Sequence, residues 1–224
     1  VCLAIESLVV LANANASNRQ NVTVTTKSGI RFTMAVIAPT IWTPNTNLPV
    51  IFALPPGSGD MNMVNAFLSN YWFREADRRG YIIVSPAVVG RSLEESAGEV
   101  FDAALGWMDE KISYDPQRMS LVGQSNGGLG AFHVARGRST WFTSIVVMPG
   151  GYRGQGNLTM LAGKPVLLIV GEKDTNWVQL TQSTSDLLAL GGAQPEVDIV
   201  SGAGHVFPYP PEDLFNWIER TFPE

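Results

Sequence analysis

Sulfur and imidazole are scarce in this chain: its 224 residues include one cysteine, Cys2, and two histidines, His133 and His205. A single cysteine excludes an intramolecular disulfide and gives no basis for a thiolate metal site or a cysteine nucleophile. Two histidines are too few for a histidine-rich zinc site, and there is no His-Glu-x-x-His run, so neither a metal nor another cofactor is expected. Charge is thin as well, with 16% Asp, Glu, Lys and Arg, a formal net charge of -5 and no cluster of Lys and Arg. Nucleic acid is set aside as a partner on that ground, because a phosphate backbone is held by grouped cations. No apolar run is long enough for a membrane span, so no integral membrane association is expected. What the chain does have is 45% apolar residues, enough at this length for one well-filled core and short for two.

Residues 1–16 are apolar and end in Ala14-Asn15-Ala16, the small-residue spacing of a signal cleavage site. Glu6 interrupts the run and no basic stretch precedes it, so a leading helix packed on the domain is an equal reading. We therefore set residues 1–20 apart from a single domain over 21–224. Localisation stays open: secreted or periplasmic under the first reading, cytoplasmic under the second.

Along the domain, Asn21 to Lys27 and Ile30 to Ala38 alternate about a Ser28-Gly29 turn, the pattern of a hairpin. Short, mostly apolar runs follow at Val50 to Leu54, Tyr81 to Ser85, Met119 to Val122, Phe142 to Met148 and Pro165 to Val170, with a last strand at Glu196 to Val200. Stretches with helical apolar spacing lie between and after them: Met63 to Arg79, Leu93 to Lys111, Gly127 to Arg136, Trp177 to Leu190 and Pro211 to Phe222. Apolar strands alternating with helices predict an α/β domain whose mostly parallel central sheet carries helices on both faces, with the N-terminal hairpin antiparallel. No tract divides the chain, so a separate lid is not expected.

Leu121-Val122-Gly123-Gln124-Ser125-Asn126-Gly127-Gly128 reads as a strand that stops at a serine and turns at once into a helix. Gly123-x-Ser125-x-Gly127 has the spacing of a nucleophile elbow, a tight turn that lifts a hydroxyl clear of the sheet. The glycines have a steric cause there, since a Cβ would crowd the neighbouring strand or helix. Glycine is abundant, at 22 residues, and the pattern alone also fits an ordinary glycine-rich loop. Other strand ends decide between these. In a parallel sheet the loops at the carboxyl ends converge, and three of them carry Ser125, Asp174 and His205 in that order, one of the chain orders of a nucleophile, acid and base.

These stretches, with Ile112-Ser113-Tyr114-Asp115-Pro116-Gln117-Arg118-Met119, Gly171-Glu172-Lys173-Asp174 and Gly202-Ala203-Gly204-His205, resemble the α/β-hydrolases. Within that superfamily the chain is similar to lidless serine esterases of the polyhydroxybutyrate depolymerase-like and feruloyl-esterase-like groups. The resemblance covers roughly Asn21 to Phe222. It implies Ser125 as nucleophile, His205 as base and Asp174 as the acid that orients the imidazole. A serine hydroxyl needs such a base, and histidine is suited to the task near neutral pH. The backbone N–H groups of Ser58 and Asn126 are the expected oxyanion donors. The chain departs from the family at Pro56-Gly57, where the oxyanion loop usually begins His-Gly. Other roles stay open: Asp174 as a helix cap, Glu172 or Asp198 as the acid, and His133 as a helix packing residue. Gly57, Tyr152, Trp177 and Phe207 are candidates for the substrate pocket. The expected activity is hydrolysis of short-chain or aryl carboxylic esters without a cofactor. Feruloyl, acetyl or polyester hydrolysis, a peptidase or amidase, and a non-catalytic binding protein are the alternatives.

Overall fold

The computed structural model describes residues 18–90 and 92–223. The readings of residues 1–16 as a signal remnant or a leading helix lie outside them. Eight strands form one sheet in the order β1-β2-β4-β3-β5-β6-β7-β8. β1 (Asn18–Thr25) and β2 (Arg31–Ala38) form the expected hairpin, and β2 also pairs antiparallel with β4 (Ile82–Ala87). From β4 onward all pairings are parallel, through β3 (Val50–Leu54), β5 (Met119–Gly123), β6 (Ser144–Val147), β7 (Pro165–Gly171) and β8 (Gln194–Val200). This is the α/β-hydrolase fold.

The aliphatic runs become central strands because both of their faces are covered: β3, β4, β5 and β6 are buried at every position. Successive side chains of β3 enter opposite cores, as the two-residue period of a strand requires. Val50, Phe52 and Leu54 meet a cluster built with α3 (Leu93–Lys111), α4 (Asn126–Arg138) and the inner face of α5 (Thr175–Leu190). Ile51 and Ala53 meet the other cluster, built with α1 (Met61–Phe67), α2 (Phe73–Arg79) and α6 (Pro211–Glu219).

Several boundaries differ from the sequence expectation. β1 begins at Asn18, ahead of the visible alternation, because its ladder with β2 extends to Ala38. Pro86 lies within β4 rather than closing it. The ladder with β3 stops at Val84, whereas the pairing with β2 continues to Ala87. The single helix expected from Met63 to Arg79 is three pieces, with a π-helical turn at Leu68–Trp72 between α1 and α2. Gly80 ends it as expected, in the left-handed region at φ 78°. α6 stops at Glu219, short of Phe222.

Candidate active site

Ser125 stands between β5 and α4 with φ 54° and ψ -116°, the only non-glycine residue with positive φ among the described residues. Such a conformation costs roughly 1–3 kcal/mol and persists only where the surroundings over-determine it. Here the Ser125 N–H donates to the Pro149 carbonyl at 2.7 Å, the Gln124 N–H to the Leu54 carbonyl at 3.2 Å, and the Gly127 N–H to the Gln124 carbonyl at 2.8 Å. The flanking glycines are sterically required. A Cβ on Gly123 would strike the Gly127 carbonyl oxygen, and one on Gly127 would strike the Leu54 carbonyl oxygen.

Ser125 Oγ lies 2.9 Å from His205 Nε2, and His205 Nδ1 lies 2.6 Å from Asp174 Oδ2. One tautomer satisfies both contacts: the serine hydroxyl donates to Nε2, and Nδ1–H donates to the carboxylate. The loops that carry Asp174 and His205 are tied together at the ends of β7 and β8. The Glu172 N–H donates to the Val200 carbonyl at 3.0 Å, and the Lys173 N–H to the Ala203 carbonyl at 2.8 Å. A side chain at Gly171 would collide with the Gly204 carbonyl, so glycine lets the two loops meet. Asp174 does occupy the cap position of α5, but its side chain caps no backbone N–H. The alternative acids are engaged elsewhere. Glu172 accepts from the Gly202 N–H at 2.6 Å, which together with Ser201 holds its carboxyl below the usual range. Asp198 accepts from the Tyr209 hydroxyl at 2.7 Å.

The loop after β3 approaches the elbow from the other side. Gly57 and Gly59 have φ 62° and 66°, the Gly59 N–H donates to the Pro56 carbonyl at 3.2 Å, and the Asn126 side-chain amide donates to the Gly57 carbonyl at 2.9 Å. The backbone N–H groups of Ser58 and Asn126 bond to no other protein group among the described residues. Both therefore remain free for an incoming acceptor, with the positive end of the α4 dipole behind Asn126. Ser58 Oγ donates to Asp60 at 2.6 Å, and the same carboxylate accepts the Asn62 and Met63 N–H groups. The bond from Ser58, then that from Met63, holds the Asp60 carboxyl below its ordinary pKa.

The profile of the dienelactone hydrolase family matches residues 63–216, a stretch that contains Ser125, Asp174 and His205. The chain belongs to the dienelactone hydrolase family. Membership supports a general hydrolase activity. Known structures share the fold of this family member at low sequence identity. A ferulic acid esterase from Anaeromyces mucronatus has a TM-score of 0.74 and 16% identity over 93% of this chain and 92% of its own. An S-formylglutathione hydrolase from Agrobacterium tumefaciens gives 0.72 and 13% over 96% and 99%. Dipeptidyl peptidase 4 from Porphyromonas gingivalis gives 0.66 and 13%, and this chain spans only 35% of its length. No curated protein matches the sequence.

Within the dienelactone hydrolase frame, the pocket candidates fare unequally. Trp177 lies beside His205, with ring centroids 5.3 Å apart, and Gly57 lines a cavity of about 280 Å³. Tyr152 is buried. Its ring packs against Phe132 and under Arg136, well along α4 from the elbow, and its hydroxyl donates to the Gln155 carbonyl. Phe207 is buried in the core shared with α1, α2 and α6, and it lines a separate cleft with Tyr71 and Tyr209. Sequence reasoning missed Arg153, which stacks over Trp177 at 5.3 Å and lines the same cavity as Ser58, Asn126 and the start of α3. The glycine-rich loop after β6 gains a role as a brace: Pro149 holds Ser125, and the Thr181 hydroxyl donates to the Gly150 carbonyl at 3.3 Å. Among the described residues no helix is long and apolar enough to cross a membrane.

Proposed function

We propose that this protein is a serine carboxylesterase that hydrolyses short-chain or aryl carboxylic esters through an acyl-enzyme intermediate, with residues 21–224 as one catalytic unit that needs no cofactor. The observation that carries the reading is the hydrogen-bonded run from Ser125 through His205 to Asp174 at the ends of β5, β7 and β8. In this reading Ser125 Oγ attacks the ester carbonyl carbon while its proton passes to His205 Nε2. Asp174 accepts from Nδ1–H and stabilises the imidazolium that forms. The negative charge that develops on the carbonyl oxygen is met by the N–H groups of Ser58 and Asn126. Collapse of the tetrahedral species breaks the bond to the alcohol, which leaves with the proton from Nε2. Water then attacks the acyl-enzyme, giving its proton to His205, and the carboxylic acid departs as Ser125 is reprotonated.

A cavity of about 280 Å³ beside Ser58 and Asn126 adjoins the two proposed oxyanion donors, where part of a bound ester would lie. A second reading, hydrolysis of hydroxycinnamate esters, draws on Trp177 beside His205 and on the likeness to the Anaeromyces mucronatus ferulic acid esterase. The test is turnover of p-nitrophenyl esters of rising acyl length and of methyl hydroxycinnamates, with matching anilides to separate an amidase. Ser125→Ala is expected to lose at least ~10³-fold in kcat, and an organophosphonate is expected to label Ser125 in the wild type. Turnover retained by Ser125→Ala would overturn the reading.

A further inference from the structure

The π-helical turn between α1 and α2 contains Tyr71. There the Phe73 N–H donates to the carbonyl of Leu68, five residues back, so the turn is wider than those on either side. Such turns are uncommon and recur at functional sites. The Tyr71 side chain points into the protein, with the residue only 3% exposed, and its hydroxyl donates to the Phe207 carbonyl at 2.6 Å. Phe207 follows His205 by two residues and is itself 2% exposed, whereas Val206 between them is 71% exposed. The loop after β8 thus dips from water into the core immediately beyond the histidine. The side chain of Gln124, next to Ser125, is also buried, and its influence lowers the pKa of the Tyr71 hydroxyl against the larger effect of burial. Burial raises the pKa of this phenol, so it remains a donor over the pH range in which esters are assayed.

We propose that Tyr71 is a positioning residue for the esterase reaction, pinning the loop that carries His205 against the floor of the Ser125 elbow. The inference rests on the triad reading above. A carbonyl that loses its donor costs free energy until it finds another partner, and the loop that carries it is then free to shift. His205 sits two residues upstream and would move with it. Apart from this pin, the loop is held near His205 by the Ala203 carbonyl, which accepts from Lys173, and by the bond of the imidazole to Asp174. Both act on the Asp174 side of the ring. Besides the imidazole's own contact with Ser125, the Tyr71 bond ties the backbone of this loop to the turn between α1 and α2.

Tyr71→Phe deletes the hydroxyl and keeps the ring that packs against Phe67. It is expected to lower kcat on p-nitrophenyl acetate about tenfold while leaving KM within about twofold, because misplacing a base impairs chemistry more than binding. Two readouts separate positioning from lost stability. The rate of organophosphonate labelling of Ser125 should fall in step with kcat, and the low-field proton resonance of His205 Nδ1–H should shift or broaden. Tyr114→Phe serves as the control. It removes a bond to Asp109 at the far end of α3, and is expected to lower thermal stability with kcat unchanged. A folded Tyr71→Phe protein with wild-type kcat and an unaltered His205 resonance would overturn the proposal. If Ser125→Ala is inactive in the same assays, that outcome removes only the role of Tyr71; if Ser125→Ala is active, the triad reading itself fails.

Discussion

The φ of 54° at Ser125 places a side-chain-bearing residue where glycine would rest more easily. The strain is held by the bonds from Pro149 and Leu54 and by the absence of a Cβ at 123 and 127. Two inactive variants separate the backbone effect from the chemistry. Ser125→Ala keeps the Cβ and so keeps the strain, whereas Ser125→Gly removes both. Ser125→Gly is therefore expected to be the more stable of the pair by about 1 kcal/mol, after allowing for the extra entropy of glycine in the unfolded chain. In a protein of this size that is a rise of about 2–4 °C in melting temperature. Calorimetry of the two variants side by side checks it, and equal melting temperatures would mean that the turn stores no strain at this residue. The glycines around Ser125 were legible in the sequence because one residue type at fixed spacing answers one steric demand. Tyr71 and Arg153 were not, because each acts on a partner distant in sequence, and nothing local distinguishes them from a core tyrosine and a surface arginine.

The loop after β3 and α1 behave as one element joined by Asp60. Its carboxylate caps the helix through Asn62 and Met63 and holds Ser58 by the hydroxyl, while Asn126 holds the loop from the α4 side. Asn126→Ala keeps its backbone N–H yet frees the Gly57 carbonyl. It is expected to lower kcat by about tenfold with little change in KM, which steady-state kinetics on a p-nitrophenyl ester would measure. Asp60 adds a pH dependence with a definite sign. Its pKa in the folded protein is below the unfolded value, so its contribution to stability is present above that unfolded value and is lost as pH falls through the folded one. Wild type should lose this contribution only below about pH 4. Asp60→Asn should show a shallower loss of stability there, seen as denaturation midpoints measured between neutral pH and pH 3. The same slope in both proteins would remove Asp60 as the cause. At this scale the loop Pro55 to Asp60 was legible as a break in pattern directly after a buried strand. How it is held was not, because those bonds depend on the positive φ of Gly57 and Gly59. The π-helical turn was hidden for a related reason: Val64, Phe67, Leu68, Tyr71, Trp72 and Ala76 keep a helical apolar period straight through it.

Across the whole molecule, the parallel sheet could be read from its aliphatic runs because burial on both faces demands them. The two covering layers could not be assigned to faces from sequence, since each helix shows only that it has an apolar side. The separation of site from body makes a last prediction. Ser125, Asp174, His205 and Ser58 all lie on loops or turns at the carboxyl ends of strands, while the largest buried side chains lie below them in the two cores. Phe101, at the middle of α3, is fully buried, edge-on to Phe52 at 4.9 Å and 5.1 Å from Phe142. Phe101→Ala leaves a hole between the Phe52 and Phe142 rings and should cost about 3–5 kcal/mol, a large share of the roughly 5–15 kcal/mol that holds a domain folded. At about 2–4 °C per kcal/mol the melting temperature should drop by roughly 6–20 °C. Catalysis should respond differently, because the elbow is braced by backbone bonds to the Pro149 and Leu54 carbonyls and by its glycines rather than by the packing of the Phe101 ring. Titrating active sites with an organophosphonate gives kcat per competent molecule, and that value is expected to stay within about twofold of wild type at a temperature where the variant is folded. A larger fall would mean that the geometry at the strand ends depends on the packing of the body beneath it, and that the loops alone do not hold the site.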